Sequence, residues 1–445
     1  MYQIDFNKPI HIHFMGIGGI SMSGLAEILI KEGFTISGSD VHTSDIIKHL
    51  EDKGAKVYLS QTADNITDDI DLVVYTAAIN FDTNEEYKEA VRRNIPVMKR
   101  ATLLGQMMHN YQNAIAVSGT HGKTTTTGMA YHLFEDFDKT TVLIGDGTGH
   151  ACKDSKYFIA ESCEFQDHFL HYYPKYAIIN NIELDHVDYF GNLERYIESF
   201  EKFANQVKDT VIVWGDDPNI KKINFEKRVM RFGLNDYNDV RAVNVIENNL
   251  GFSFDVYIHN ELFGHFNLPY FGMHMLYNSL AIITLGYLEN MTNDYIQNRM
   301  ATFEGTKRRY SVTEVGNNVY VDDYAHHPTE IAATLSAAGN YPHNRIWCVF
   351  QPHTYTRTHA LFNDFVEALR APDITLLAEI YAAREVNDIG ISSKDLAARI
   401  PGSEYYATLP EVTERLRALA RPGDLILTVG AGDIFTVGEA LLREG

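Results

Sequence analysis

The stretch Ala114-Ile-Ala-Val-Ser-Gly-Thr-His-Gly-Lys-Thr-Thr-Thr-Thr127 constrains this chain more than any other. An apolar, β-branched run ends in a loop of small residues, and a lysine followed by threonines opens the next segment. Ala130, Leu133, Phe134 and Phe137 recur at the spacing of one helix face. Strand, loop and helix in that order turn backbone N–H groups toward a polyphosphate. Lys123 then reaches the terminal phosphates, and the Thr124 hydroxyl is set for a magnesium ion. The full phosphate-loop pattern has glycine where this chain has Val117, so Gly119-x-x-Gly122-Lys123-Thr124 is a shortened variant. A tight glycine turn with a solvated lysine is the plainer alternative. The strand before the loop and the helix after it favour the phosphate.

A chain of 445 residues exceeds one ordinary core, so two to four domains are expected. The formal charge of −21 argues against nucleic acid as a partner, because that binding uses a basic face. It also makes any local cluster of Lys and Arg informative. No apolar run reaches the length of a membrane span, so membrane insertion is not expected. The first residues lack a charged-then-apolar signal, and a cytoplasmic location is expected. The three cysteines show no C-x-x-C pairing, so neither a disulfide framework nor a zinc knuckle is indicated.

Strand and helix signals alternate from the start. Ile10–Phe14 reads as a strand, followed by Gly16-Ile-Gly-Gly-Ile-Ser-Met-Ser-Gly24 and a helix through Leu25, Ile28 and Leu29. A second strand leads from Phe34 into Gly38-Ser39-Asp40, and a third spans Asp71–Thr76 and ends at Ala77-Ala78-Ile79. A Gly-rich first turn and an acidic residue after the second strand outline a dinucleotide-binding unit. Ser21 stands at the third glycine of that fingerprint, so a nucleotide diphosphate over the helix near Ile20 fits better than a nicotinamide cofactor. Two plainer readings stay open: the glycines serve helix–strand packing, and Asp40 caps a turn.

The polar, Met-rich stretch from Gln106 to Gln112 marks a first boundary. Beyond it, strands at Tyr157–Ala160 and Tyr176–Asn180 end at Glu161 and at Asn181-Ile-Glu-Leu-Asp-His186. Both place charged groups at strand C-termini, where open parallel sheets bind ligands. Short alternating runs from Asp239 to Leu268, broken by Asn-Asn-Leu-Gly and His-Asn, predict an antiparallel insertion, and a helix is expected from about His274 to Leu288. After Gly305 the βα alternation resumes, with strands at Val319–Asp322, Arg345–Phe350, Ile374–Leu377 and Leu425–Val429. The expected fold is α/β, in three consecutive domains over residues 1–106, 107–304 and 305–445. The outer two are Rossmann-like; the central one is P-loop ATPase-like with a small antiparallel β insertion.

Polyphosphate chemistry calls for a divalent metal, and Glu161 and His186 are candidates to join Thr124 around it. A strand-end histidine bonding a backbone group is the alternative for His186. In Asp322-Asp-Tyr-Ala-His-His-Pro328, adjacent histidines suit zinc poorly, and a substrate-carboxylate or acid–base role for His326 fits better. Capping of the helix that starts near Pro328 is the alternative for both histidines. Arg357, in Gln351-Pro-His-Thr-Tyr-Thr-Arg-Thr358, offers a forked donor for a carboxylate or phosphate. Lys307, Arg308 and Arg309 form a basic cluster suited either to a phosphate or to a solvated linker.

Gly-Thr-His-Gly-Lys-Thr-Thr-Thr (119–126), Asn-Ile-Glu-Leu-Asp-His-Val-Asp-Tyr-Phe (181–190), Asp-Asp-Tyr-Ala-His-His-Pro-Thr-Glu (322–330) and Phe-Gln-Pro-His-Thr-Tyr-Thr-Arg-Thr (350–358), with the glycine turn at 16–24 in front, resemble the Mur ligase family. The motifs span nearly the whole chain in the family's order. The resemblance implies an ATP- and magnesium-dependent ligase of peptidoglycan precursor synthesis, either a monomer or a homodimer. The expected substrates are UDP-N-acetylmuramate and L-alanine, with a recycled murein tripeptide as the alternative acceptor. It further implies that Gly119, Thr120, Gly122, Lys123, Thr124, Thr125, His274, Asn278, Arg308 and Asp322 bind ATP. Thr124 and Glu161 would hold magnesium, with His186 on a second metal site. Gly18, Ser21 and Asp40 would lie on the UDP-sugar side; His326, His353 and Arg357 would receive alanine, with Lys123, His326 and Arg357 carrying the chemistry. The chain departs from the family in having Thr354 where many relatives have arginine, Cys163 within a less acidic Glu161–Gln166 run, and Met275 in place of asparagine.

Overall fold

A computed structural model of the chain describes residues 2–76, 79–145, 147, 149–248, 251–316, 318–383 and 385–442. Ala77 and Ala78, at the end of the third expected strand, and Asn249 and Leu250, in the expected break of the insertion, lie outside them. The chain divides into two compact units. The first comprises Met1–Ile182, Glu194–Arg241 and Leu280–Met300; the second comprises Glu183–Leu193, Ala242–Ser279 and Ala301–Gly445.

Two sheets lie in the first unit. β1 (His11–Met15), β2 (Thr35–Ser39), β3 (Lys56–Tyr58), β4 (Leu72–Tyr75) and β5 (Val97–Lys99) form a sheet in the order β3-β2-β1-β4-β5. All its pairings are parallel. The strand order reverses between β1 and β4, and the Gly16–Gly19 turn leaves the C-terminal end of β1 at that switch point, where such sheets bind ligands. Burial on both faces explains the apolar runs: Ile12, Phe14, Leu72, Val73 and Val74 are wholly inaccessible.

The second sheet contains β6 (Asn113–Ser118), β7 (Thr140–Leu143), β8 (Gly149–His150), β9 (Tyr157–Glu161), β10 (Tyr176–Ile179), β11 (Thr210–Trp214) and β12 (Arg228–Gly233), in the order β12-β11-β10-β6-β9-β7-β8. Only β8 runs antiparallel, against β7. β6 therefore has β9 and β10 as its neighbours, and the three strand ends that carry the loop, Glu161 and Asn180 come together. The helix Lys123–Phe134 follows the loop as expected, but Phe137 lies beyond its end and is 40% exposed. The Met-rich stretch that begins at Gln106 overlaps the helix Arg100–His109, which buries Met107 and Met108. The short β5, β7 and the pair β11 and β12 are not among the expected strands, although turn residues border them: Pro96 before β5, Gly145 after β7, Gly-Asp-Asp-Pro (215–218) after β11 and Gly233 at the end of β12.

β13 (Val240–Asn248) starts beside β12 in the first unit, with Phe232 in register with Val240. In the second unit β14 (Gly251–Ile258) and β15 (Glu261–Leu268) form the expected antiparallel insertion, with alternating burial along β14. The unit's main sheet contains β16 (Ser311–Val315), β17 (Asn318–Asp323), β18 (Ile346–Phe350), β19 (Ile374–Ala378), β20 (Glu404–Tyr406) and β21 (Leu425–Val429), ordered β16-β17-β21-β18-β19-β20. β16 alone is antiparallel. The architecture is thus three α/β domains, as expected. No helix among the described residues is long and apolar enough to cross a membrane.

Candidate active site

In the first unit the phosphate loop is shaped by its glycines. Gly119 (φ +127°) and Gly122 (φ +79°) adopt left-handed backbone that a side chain resists. A Cβ on Gly119 would stand 2.9 Å from the Asn180 amide nitrogen. The next residue, Asn181, accepts the His121 N–H on Oδ1 at 2.8 Å, while Asn180 Nδ2 donates to Thr126 Oγ1 at 3.0 Å. These two asparagines brace the loop. Sequence reasoning passed over them; their signal is their place at the end of the strand beside β6.

The Lys123 ammonium donates to the carbonyls of Gly119 (2.6 Å) and Thr120 (2.9 Å) and pairs with Glu164 at 3.2 Å. Glu164 is only 1% exposed and also accepts from the Tyr196 hydroxyl at 3.3 Å. Burial opposes the lysine's charge, but Glu164, with Cys163 and Glu161 beyond it, raises its pKa overall. Thr124 Oγ1 donates to Glu161 Oε2 at 2.8 Å, and the Gly145 N–H reaches the same oxygen at 3.0 Å. Thr125 is buried in the same helical turn. Gly119, Thr120, Gly122, Lys123, Thr124, Thr125 and Glu161 thus converge. A hydroxyl and a carboxylate side by side are the hard oxygen donors that suit magnesium.

At the first sheet the Gly18 N–H donates to Asp40 Oδ2 at 2.9 Å, and a Cβ on Gly18 would stand 2.9 Å from that oxygen. Asp40 Oδ1 also accepts from Val41 N at 2.8 Å and from His42 N at 3.3 Å, so the carboxylate engages backbone N–H groups of its own turn. Ser21 Oγ accepts from Arg100 Nη1 at 2.8 Å, a partner sequence reasoning did not single out.

The second unit carries the other cluster. His326 Nδ1 lies 3.0 Å from the Tyr324 carbonyl, so this nitrogen holds the ring proton and Nε2 keeps the lone pair. Burial pushes its pKa down to about 3. The His326 and His353 rings are 6.1 Å apart, and His353 stacks on Tyr381 at 5.7 Å. Arg357 joins them through Nη1, 3.4 Å from His353 Nδ1. Its fork is filled, however. Nη2 donates to both carboxylate oxygens of Asp185 at 3.1 Å, and Nε donates to Oδ1 at 3.2 Å. Burial opposes ionisation of Asp185, but Arg357, with His186 and His326, holds its pKa far below the usual range.

His186 follows Asp185 with left-handed backbone (φ +49°), and its Nε2 stands 3.8 Å from Asp185 Oδ2. His186 belongs to the second unit, whereas Thr124 and Glu161 belong to the first. Arg308 and Asp322 meet each other, Nε to Oδ2 at 3.2 Å, and Arg308 also donates to the carbonyls of Gly430 (2.8 Å) and Gly432 (3.2 Å). His274 and Asn278 lie one turn apart on the helix Met273–Leu288, His274 outward and Asn278 buried. His327, unlike His326, caps the helix Pro328–Ala338, accepting from Thr329 N at 3.4 Å.

Three family descriptions match the chain in sequence: Mur ligase family, catalytic domain (residues 11–112), Mur ligase middle domain (117–286) and Mur ligase, glutamate ligase domain (308–432). A UDP-N-acetylmuramate–L-alanine ligase of Lachnoclostridium phytofermentans is 45% identical, with all of both chains covered. The enzyme of the same description from Clostridium botulinum is 46% identical over 99% of this chain and 100% of its own. Among solved structures, the UDP-N-acetylmuramate-alanine ligase of Thermotoga maritima superimposes with a TM-score of 0.82 at 26% identity, covering 98% of this chain and 99% of the other.

Proposed function

This chain belongs to the Mur ligase family, and from that premise we propose that it joins L-alanine to the lactyl carboxylate of UDP-N-acetylmuramate at the expense of ATP. The observation that carries the reading is the convergence of Lys123, Thr124 and Glu161 behind a glycine-shaped loop. Full-length identity to L-alanine ligases supports the choice of substrates.

An amide does not form from a free carboxylate in water, so the carboxylate is first activated. The γ-phosphoryl group of ATP passes to a lactyl oxygen; the bond to ADP breaks and an acyl phosphate results. The amine of L-alanine attacks the acyl carbon, the carbon–oxygen bond to phosphate breaks, and inorganic phosphate leaves. Lys123, kept cationic by Glu164, offsets charge on the transferring group. Thr124 and Glu161 would hold magnesium, which screens the repulsion between phosphate oxygens and the entering nucleophile, and His186 would serve a second metal position. His326 Nε2, left with its lone pair, takes the amine proton. His353 and Arg357 hold the amino acid; Gly18, Ser21 and Asp40 hold the sugar nucleotide. His274, Asn278, Arg308 and Asp322 complete the ATP side. Residues 1–106, 107–304 and 305–445 would serve sugar nucleotide, ATP and amino acid in turn, in the cytoplasm.

The test is phosphate release from ATP with UDP-N-acetylmuramate and either L-alanine or the murein tripeptide. Turnover is expected only with the sugar nucleotide and L-alanine together. Turnover that ignores the sugar nucleotide, or prefers the tripeptide, overturns the reading.

A further inference from the structure

Arg100 stands apart from most other arginines of this acidic chain. Arg92, Arg93, Arg299, Arg345 and Arg415 each pair with a carboxylate. Half-buried Arg100 has no such partner among the described residues. Instead its Nη1 donates to Ser21 Oγ at 2.8 Å and its Nη2 to His168 Nδ1 at 3.4 Å. Asp167, the acidic neighbour of His168, accepts from the Ser199 hydroxyl.

A guanidinium only donates, and this settles the polarity of both partners. Ser21 Oγ is the acceptor toward Arg100, so its own hydrogen is available elsewhere. His168 Nδ1 carries the lone pair, so the ring hydrogen sits on Nε2. Burial, with the charge of Arg100, pushes His168 down to about 4, which keeps that ring neutral. What remains is the Ser21 O–H, the His168 Nε2–H and the unused N–H groups of Arg100. Arg100 and the His168 Nε2–H can only donate, the Ser21 O–H can donate with them, and a donor-rich set around a permanent positive charge fits an oxyanion. Ser21 lies in the first turn of the helix Ile20–Lys31, directly after the Gly16–Gly19 turn. The helix Arg100–His109 packs on the segment Phe165–His171, which follows Glu164, the partner of Lys123, and all three donors belong to the first unit.

We propose that Ser21, Arg100 and His168 together hold an oxyanion of the sugar-nucleotide substrate, its diphosphate or its lactyl carboxylate. This rests on the sugar-nucleotide reading above and adds Arg100 and His168 as direct binding residues.

Calorimetric titration of UDP-N-acetylmuramate into the full chain, loaded with magnesium and a non-hydrolysable ATP analogue, tests it. Arg100→Ala is expected to raise Kd by about 10- to 100-fold, the usual weight of hydrogen bonds to a charged group. Arg100→Lys should cost less, because it keeps the charge and loses the fork. His168→Ala should cost roughly 10-fold, and it carries the test if Arg100→Ala does not fold. Unchanged affinity for the ATP analogue shows that the phosphate loop is intact. UDP and UDP-N-acetylglucosamine, which lack the lactyl carboxylate, separate the two sources. An equal loss with UDP supports the site and assigns it to the diphosphate. A loss confined to UDP-N-acetylmuramate supports it and assigns it to the carboxylate. Folded variants that bind every ligand as the wild type does overturn the proposal alone. A wild-type chain that binds none of them overturns the sugar-nucleotide reading and this site with it.

Discussion

Lys123 and Arg357 are both cations held by a buried carboxylate, yet the two pairs are built differently. Lys123 shares its ammonium among Glu164 and two loop carbonyls that lie within four residues of it. Its surroundings are mostly local, made by glycines at 119 and 122, and its contacts are those of a point charge. Arg357 commits Nε and Nη2 to Asp185, which comes from a segment 172 residues away in sequence. A polyphosphate arriving at Lys123 meets an ammonium whose contacts are divided among three acceptors. A carboxylate arriving at Arg357 meets a fork already filled, so it must use the Nη1 edge beside His353 or displace Asp185. The first cluster is poised; the second has a resident competitor.

Removing Lys123 should break the reaction most completely. Lys123→Ala is expected to lower phosphate release by about 1,000-fold or more, since Lys123 is the one lysine or arginine between Ser118 and Thr127. A modest loss would mean that the loop's N–H groups suffice.

The Asp185 pair should register in stability first. Side-chain exposures are 11% for Arg357 and 9% for Asp185, and taking one partner from a buried pair costs about 3–5 kcal/mol. Asp185→Ala should show that loss in denaturant unfolding at neutral pH. The pH dependence follows from the direction of the shift. Asp185 has a lower pKa folded than unfolded, so the unfolded chain binds more protons. The contribution is full above the unfolded value of about 4 and is lost as pH falls below it. Asp185→Asn should remove that acid slope; an unchanged slope would mean that the pair does not contribute.

His326→Gln should lower kcat by about 100-fold with a smaller change in KM for L-alanine, as expected for a base that acts during attack. Burial holds the ring neutral down to about pH 3, so protonation of His326 should not set an acid limb near neutral pH. An acid limb that vanishes in His326→Gln would contradict this.

The smallest effect concerns the glycines. Gly122→Ala forces a side chain onto φ +79° and should cost about 1–2 kcal/mol of stability, with weakened ATP binding. Gly119→Ala adds a close approach to Asn180 and should cost more.

Much of the phosphate loop was legible in the chain itself. Its strand, glycines, lysine and threonine are contiguous, and each acts through local backbone geometry. The helix at Pro328 was legible for the same reason, since a proline marks its start, whereas the capping box that His327 and Glu330 complete emerged only in the structure. Glu161 was found because parallel strands put their ends together. The brace from Asn180 and Asn181 was missed because nothing local distinguishes a clamp from an ordinary strand end.

Sequence order by itself determined the α/β alternation, the loop, the antiparallel insertion and the family. All of these rest on spacing within about twenty residues or on motifs in series. Only the tertiary structure decided which carboxylate meets which cation. That Asp185 fills the fork of Arg357, that Arg308 closes on Asp322, and that Arg100 faces Ser21 and His168 without a counter-ion are consequences of strand order and packing. Periodicity specifies which face of an element is buried. It says nothing about which distant charge arrives there, because that depends on how separate elements stack.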